Sequence, residues 1–174
     1  MPRRGGGVLG DANKVTFVPT TAADRFDRLA KGEFDLLARN STVNLPRSVG
    51  TKVRAAAINY IDGQAFVVPK SGGIISAASL NRKTICTING TDHQPNMAWW
   101  FRSRGIVDYV SLPFDTQSAM YEAFFAGRCD AATQDATALA DAVVSSGKAA
   151  NYLMLPEYIS KEPLGPSVRV GDEA

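Results

Sequence analysis

The stretch FDLLARNSTVNLPR occupies Phe34–Arg47 and changes character along its length. Its apolar beginning, Phe34–Ala38, predicts a strand. Polar residues follow at once, namely Arg39, Asn40, Ser41 and Thr42, and Pro46-Arg47 closes the stretch. Ligands of open α/β sheets bind beyond the carboxyl ends of the strands, so this strand end is a candidate binding edge. Taken alone, the same polar residues are more typical of an ordinary loop.

The composition is that of an ordinary globular chain, and 174 residues could form one domain or two small lobes. A net charge of +2, with the basic residues scattered, argues against a nucleic-acid partner. No stretch approaches the roughly 18 apolar residues of a membrane span. The N-terminal sequence lacks the apolar core of about 7–15 residues that a secretory signal needs. The chain as written is therefore predicted to be cytoplasmic.

Residues that could carry chemistry on their own are few. The two cysteines, Cys86 and Cys129, are too few for a disulfide framework, and His93 is the only histidine. No Cys/His cluster predicts a metal site, and no phosphate-binding loop or nucleophile elbow occurs, so neither a cofactor nor an enzyme is predicted. We interpret His93, at a helix start, as a surface or capping residue. The stripe Trp99–Phe101 predicts core packing, with a partner contact as the alternative.

Strands and helices alternate along most of the chain. In the N-terminal half, Val15–Val18 predicts a strand, Thr21–Asp24 a capping box for a helix that ends at Gly32, and Phe34–Ala38 a second strand parallel to the first. Later in the chain we predict strands at Thr84–Ile88, Val107–Ser111, Cys129–Thr133 and Tyr152–Leu155, helices at Asn96–Arg104, Gln117–Ala126 and Ala136–Ser145, and a returning strand at Ser167–Val170. The chain is therefore predicted to be an α/β protein with parallel-type sheets.

The strongest internal linker signal is Pro69–Gly73, PKSGG, which we interpret as a lobe boundary. The predicted organisation is a flexible segment over 1–10, a first lobe over 11–68, a second α/β lobe over 69–156 and a return segment over 157–174. Two α/β units joined by an extended crossing favour a small-molecule site in the cleft between them.

Three strand ends offer groups of opposite charge. Arg39 and Arg47 carry planar forks that match a carboxylate, Gly90-Thr91 precedes a helix whose amino end attracts anions, and Asp135 could take an ammonium group. Together they suit a zwitterion such as a free amino acid. Each also has an ordinary interpretation. The arginines could be solvated, Thr91 or Asp92 could simply cap the helix that follows it, and Asp135 could be another helix N-cap.

Several stretches resemble the type 2 periplasmic solute-binding proteins of amino-acid ABC transporters, specifically the general L-amino-acid-binding branch. The matching stretches are GDANKVTFVP, Asp24-Arg25-Phe26, GEFDLLARNSTVNLPR, NYIDGQAFVV, Gly90-Thr91, AGRCDAATQD and LPEYISKEPLGPSVRVGD. They occur in the family's order and span residues 10 to 172. The resemblance implies a two-lobe binding-protein fold that takes a free L-amino acid.

The resemblance also implies roles for individual residues. Arg47 would bind the ligand α-carboxylate together with Thr91, and Asp135 would take the ammonium group. Asn40, Ser41 and Thr42 would contact one or both of these groups. Cys86 and Cys129 match cysteines of this branch, so a disulfide between them is implied for an oxidising compartment.

The sequence departs from the family at both ends. A family member begins with a signal peptide and a first strand and helix, where this chain has MPRRGGGVL, and it continues beyond the stretch that ends here at Ala174. We therefore expect an incomplete first lobe in a chain truncated at both ends. Its exposed apolar faces predict coverage by a second copy, as a homodimer. Family members reside in the periplasm and partner with the membrane subunits of ABC transporters.

Three hypotheses about function follow from the sequence. The first is a truncated protein that binds a polar or general L-amino acid without catalysis. The second is an oligomeric structural or interaction protein that has lost ligand binding. The third, ranked last, is an enzyme resembling the prephenate and arogenate dehydratases, which share this binding fold; acids such as Asp62 and Asp135 would be its only proton donors.

Overall fold

The computed structural model describes residues 10–172. The helices are α1 (Arg25–Ala30), α2 (Leu45–Gly50), α3 (His93–Arg102), α4 (Gln117–Phe125) and α5 (Ala136–Ser145). The strands are β1 (Val53–Ala55), β2 (Tyr60–Asp62), β3 (Gln64–Pro69), β4 (Thr84–Ile88), β5 (Val110–Phe114), β6 (Ala131–Asp135), β7 (Tyr152–Met154), β8 (Glu162–Leu164) and β9 (Ser167–Arg169). Short 3-10 helices lie at Ala12–Lys14, Lys70–Gly72, Ala77–Leu80 and Ala149–Asn151.

The centre of the fold is a five-stranded sheet in the order β5-β4-β6-β3-β7. Strand β4 runs parallel to β5 and β6, whereas β3 runs antiparallel to β6 and β7. Helices α4 and α5 cover one face, where Met120 and Leu139 are fully buried, and α3 covers the other with Met97 and Phe101. This mixed sheet between helical layers confirms the predicted α/β class.

Residues 10–62, here called the N-terminal segment, form no large sheet. Strand β1 pairs only with β9 and β2 only with β8, both antiparallel, and a small cluster around Leu29, Leu37 and Val53 packs beneath α1. The predicted strands Val15–Val18 and Phe34–Ala38 are wrong, and with them the predicted parallel unit. A strand needs a neighbour that supplies a continuous ladder. Neither segment has one among residues 10–172, and Leu37 makes a single bridge, to Ser167.

The predicted boundary at residue 69 separates β3 from the sheet that it pairs with. Gln64 lies opposite Asp135 in the register of β3 and β6, so this strand is built into the large sheet. The return segment, residues 157–174, packs directly against Gly63. A Cβ atom at residue 63 would lie 2.4 Å from the Tyr158 ring and 3.0 Å from the Ser160 carbonyl oxygen. The division into lobes stays a prediction, and the pairing of β3 favours a boundary at Gly63. Apart from Gly10, the segment predicted to be flexible lies outside the described residues.

Most of the later elements lie close to the prediction, but β5 lies three residues beyond the predicted Val107–Ser111 and β6 two residues beyond the predicted Cys129–Thr133. Strand β4 and helix α5 have the predicted bounds, whereas α3 begins at His93 and not after Pro95. Proline is tolerated in the first turn of a helix because its missing N–H would have no partner there, and Pro95 occupies that turn. The stripe Trp99–Phe101 divides, since Trp100 and Phe101 are buried in the core while Trp99 is 69% exposed.

Local capping signals also hold. The Thr21 N–H donates to Asp24 Oδ1 (2.8 Å) and the Asp24 N–H donates to Thr21 Oγ1 (3.2 Å), which is the predicted reciprocal box before α1. A disulfide joins Cys86 in β4 to Cys129 just before β6, with the two Cα atoms 5.7 Å apart. The bond fastens the two central parallel strands to each other.

Candidate functional site

A cleft of about 130 Å³ opens at the carboxyl ends of β4, β5 and β6. Residues at the ends of these strands and directly after them form one wall, and residues of the N-terminal segment between Thr20 and Arg47 form the other. The location is the one that open α/β sheets use for ligands, because the carboxyl ends of parallel strands meet at one edge.

Most of the predicted site residues line this cleft. Arg39, Asn40, Thr42, Arg47, Thr91 and Asp135 all do so. Ser41 and Gly90 lie behind the wall, and Ser41 is only 1% exposed. The Ser41 hydroxyl accepts a hydrogen bond from Arg25 Nε (3.1 Å), and the Gly90 carbonyl accepts one from Arg25 Nη1 (3.3 Å). In this structure the two residues contact Arg25 and are not among the residues that line the cleft.

Asp135 is the buried anion of the cleft, at the end of β6. It occupies the N-cap position of α5, yet its side chain makes no capping bond. Its Oδ2 accepts from Asn40 Nδ2 (2.7 Å), and its Oδ1 lies 3.0 Å from His93 Nε2. Burial acts to raise the pKa of the Asp135 carboxyl, but hydrogen bonds and charge from His93, with Asn40 and Arg47, hold this pKa below its usual value.

Arg47 is the corresponding cation, on α2. Its Nη1 donates to the Thr42 carbonyl (2.9 Å) and lies 2.9 Å from Asp92 Oδ2. Its guanidinium carbon stands 5.2 Å from the centre of the Phe26 ring, a cation–π distance. Burial lowers the pKa of Arg47, although the carboxylates of Asp92, Glu162 and Asp135 oppose this effect.

His93 contradicts its sequence interpretation. It is 5% exposed and faces Asp135 in the cleft, so it is neither a surface residue nor a cap. Its backbone carbonyl accepts from Gln64 Nε2 (2.9 Å), which ties the start of α3 to β3. The local sequence is typical of a solvated helix start, and only the position of β6 beside it explains the burial.

Asp92 was not predicted as a site residue. It stands at the N-cap of α3, where aspartate normally accepts from the first turn, but it makes no capping bond. Its Oδ2 instead accepts from Asn44 Nδ2 (2.8 Å) and pairs with Arg47. The side chain thus joins the large sheet to α2 across the cleft.

Arg25 is a further cation of the cleft, and it was not predicted as a site residue from the sequence. It is 2% exposed, and among the described residues it has no carboxylate within ion-pair distance. Nη1 also donates to the Ala22 carbonyl, and the guanidinium carbon lies 4.4 Å from the centre of the Phe26 ring. Burial, with the charges of Arg47 and Arg39, lowers the pKa of Arg25 to about 9. Its spacing of four from the fully buried Leu29 was the available signal, because i and i+4 share a helix face.

The other cleft residues are held by short polar contacts. Arg39 Nη1 donates to the Thr20 carbonyl (3.2 Å), and burial lowers the pKa of Arg39. Thr91 Oγ1 donates to the Ile88 carbonyl (2.8 Å) and so does not cap α3. Thr42 Oγ1 donates to Glu162 Oε2 (2.5 Å), a contact between the N-terminal segment and β8.

Gly90 brings the two walls together. Its φ of +73° is left-handed, and a Cβ atom there would lie 2.6 Å from the Ala23 Cα. Because the obstructing atoms belong to the backbone, no side chain fits without moving the wall. The Gly90-Thr91 turn can therefore approach the N-terminal segment this closely only because residue 90 is a glycine.

Metal and membrane features can be stated for residues 10–172. In that part of the chain, no group of three or more histidine, cysteine or acidic side chains is placed to hold a metal ion. Nor does it contain a helix of the length and apolar character that crossing a bilayer requires. The charged residues that line the cleft are three aspartates (Asp92, Asp115 and Asp135) and three arginines (Arg25, Arg39 and Arg47).

Comparison with known proteins finds relatives among amino-acid-binding proteins. BztA of Rhodobacter capsulatus, a glutamate/glutamine/aspartate/asparagine-binding protein, is 44% identical over 165 residues, which are 95% of this chain and 48% of BztA. AapJ of Rhizobium johnstonii, a general L-amino acid-binding periplasmic protein, is 37% identical over 95% of this chain and 48% of its own length. The chain is homologous to the amino-acid-binding proteins of ABC transporters. It spans about half the length of these curated relatives.

Solved structures of binding proteins have the same fold as this chain. An ABC transporter periplasmic binding protein from Brucella ovis, with glutathione bound, superposes with a TM-score of 0.87 at 38% identity, over 92% of this chain and 50% of that one. A cysteine-binding protein from Campylobacter jejuni gives a TM-score of 0.82 at 26% identity, over 98% of this chain and 65% of that one. No protein-family model matches the chain. The resemblance and the binding-protein fold predicted from the sequence are confirmed.

Proposed function

We propose that the chain binds a polar L-amino acid in the cleft, without catalysing a reaction. The observation that carries the proposal is the convergence of Arg47 and Asp135, groups of opposite charge, on one small cavity. A free amino acid presents a carboxylate and an ammonium group on the same carbon, so these two poles match it. BztA, whose name specifies four polar amino acids, supports a polar side chain.

The proposed contacts follow from the positions of the groups. The ligand carboxylate meets the Arg47 guanidinium and the Thr91 hydroxyl, which gives up its bond to the Ile88 carbonyl in order to donate to the ligand. The ligand ammonium group meets the Asp135 carboxylate. Asn40 and Thr42 stand beside these poles on the facing wall. Ser41 and Gly90 contribute by holding Arg25, which adds positive charge near the carboxylate position. By analogy with the relatives, the membrane subunits of an amino-acid ABC transporter are the proposed partners.

Calorimetric titration of the full chain tests the proposal. We expect saturable binding of at least one of glutamate, glutamine, aspartate and asparagine, and loss of that binding in Arg47→Ala because the carboxylate loses its bidentate partner. Arg82→Ala is the matched control, since Arg82 is exposed and forms an exposed ion pair with Asp108 outside the cleft. Absence of heat with all four ligands, in a chain shown to be folded by circular dichroism, would contradict the function.

A second candidate is an assembly role, favoured by the exposed apolar side chains of the N-terminal segment. Leu45, Val49, Ile58 and Ile61 are between 56% and 75% exposed. Apolar surface of this kind is stabilised by about 25 cal/mol for each Å² that a partner covers. We propose that a second copy of the chain covers it in a homodimer.

Light scattering at micromolar concentration distinguishes the proposed homodimer from a monomer. A mass twice the 18.6 kDa of the chain is expected, falling to a single chain in Ile61→Asp and Val49→Asp. A folded monomer in the unaltered protein would remove the dimer and leave the binding function standing.

A further inference from the structure

Both charged poles of the cleft are already occupied by side chains of the protein. Asp92 Oδ2 lies 2.9 Å from Arg47 Nη1, and His93 Nε2 lies 3.0 Å from Asp135 Oδ1. Asp92 and His93 are consecutive residues at the start of α3. A carboxylate and an imidazole carried by one dipeptide therefore stand where the carboxylate and ammonium of a ligand would bind.

Asp92 contacts Arg47 and forgoes the hydrogen bond that an N-cap aspartate ordinarily makes to its own helix. Aspartate at an N-cap normally accepts a hydrogen bond from a backbone N–H of the first turn and so stabilises its own helix. Asp92 makes no such bond, and its carboxylate reaches across the cleft to Asn44 and Arg47. Its side chain is 25% exposed and lines the cavity, so a ligand can reach it.

We propose that Asp92 determines ligand affinity by competing with the ligand carboxylate for Arg47. The inference rests on the proposed function. A ligand must either displace the Asp92 carboxylate or share Arg47 with it. Displacement leaves Asp92 without its cation, and sharing places two negative charges beside each other, so both routes weaken binding. Arg25 and Arg39 line the same cleft and soften this repulsion without removing it.

Asp92→Asn removes the competing charge and keeps the size of the side chain. Binding of L-glutamine, measured by calorimetry at pH 7, is expected to tighten by about tenfold or more, the usual scale for a close charge pair. L-Glutamine α-amide, which lacks the α-carboxylate charge, is expected to show no such gain. Asp108→Asn, which breaks the exposed pair of Asp108 and Arg82 outside the cleft, is the matched control and should leave both affinities unchanged.

Asp92→Ser guards against a folding defect, because a serine hydroxyl can cap α3 while supplying no charge. Tighter glutamine binding in either variant, including binding that appears only in the variant, supports the inference. Unchanged or weaker glutamine binding in both folded variants overturns it and leaves the proposed function intact. An equal gain for glutamine and its α-amide also overturns it. Absence of binding in the unaltered chain and in both variants overturns the proposed function and this inference together.

Discussion

Replacing Asp135 with asparagine is expected to weaken amino-acid binding by about 100-fold, since removing one member of a buried charge pair costs 2–5 kcal/mol. The ligand ammonium would lose the anion in the cleft that the structure holds most deeply, at 1% exposure. The substituted amide would also place an N–H₂ group toward either Asn40 Nδ2 or His93. Calorimetric titration with L-glutamine measures the loss.

Asp141→Asn is the matched control for this change. Asp141 is an exposed aspartate on α5, the helix that Asp135 precedes, and it does not line the cleft. Its substitution should leave the dissociation constant within about twofold, as surface changes commonly do. A folded Asp135→Asn protein that binds within about threefold of the unaltered chain would contradict the proposed role of Asp135.

We expect the same carboxylate to set the acid limit of the proposed amino-acid binding. The pKa of Asp135 lies below its usual value of 3.8 in the folded chain, so this group is ionised from neutral pH down to acidic pH. Ammonium binding that depends on the ionised form is therefore retained above the usual pKa and lost as the pH falls through the lowered pKa. Because Asp135 stays ionised between about pH 5 and 7, its titration should not change the affinity for glutamine in this range. A loss of affinity with a midpoint well above pH 5 would contradict this assignment.

Replacing Glu162 with alanine is expected to lower the free energy of unfolding by about 3–5 kcal/mol. The Glu162 side chain is a buried acceptor for three separate groups: Thr42 Oγ1 (2.5 Å), Asn96 Nδ2 (2.9 Å) and the Ser160 hydroxyl. Its removal leaves these three part-buried donors without this acceptor, and it removes the side-chain contacts that connect Thr42 of the N-terminal segment to β8 and, through Glu162, to α3. Urea denaturation with linear extrapolation measures the difference.

Two further variants define the origin of the loss. Glu162→Gln keeps the shape and one acceptor oxygen, so it should fall between the unaltered chain and the alanine variant. Glu122→Ala, an exposed glutamate on α4, should change the unfolding free energy by no more than about 0.5 kcal/mol. A Glu162→Ala protein within about 1 kcal/mol of the unaltered chain would show that the three contacts contribute little.

Local patterns predicted the second half of the chain well because the decisive signals there lie within each element. The apolar run Thr84–Ile88 and the helical spacing of Ala136–Ser145 specify a strand and a helix before any partner is present. The N-terminal segment has no such independence. Phe34–Ala38 has the composition of a strand but not the neighbour, and a strand exists only as part of a ladder.

The cleft shows the same division. From the sequence by itself, Thr91 and Asp135 could be named because they lie at the ends of β4 and β6. Arg47 could also be named, although the strand predicted before it does not form and Arg47 lies in α2. Only the tertiary structure decided that Asp92 and His93 turn into the cleft and that Arg25 is buried behind it. An N-cap aspartate and a helix-start histidine look solvated when only their own helix is considered. The groups that draw them inward, Arg47 and Asp135, are distant in sequence and become neighbours only when the chain has folded.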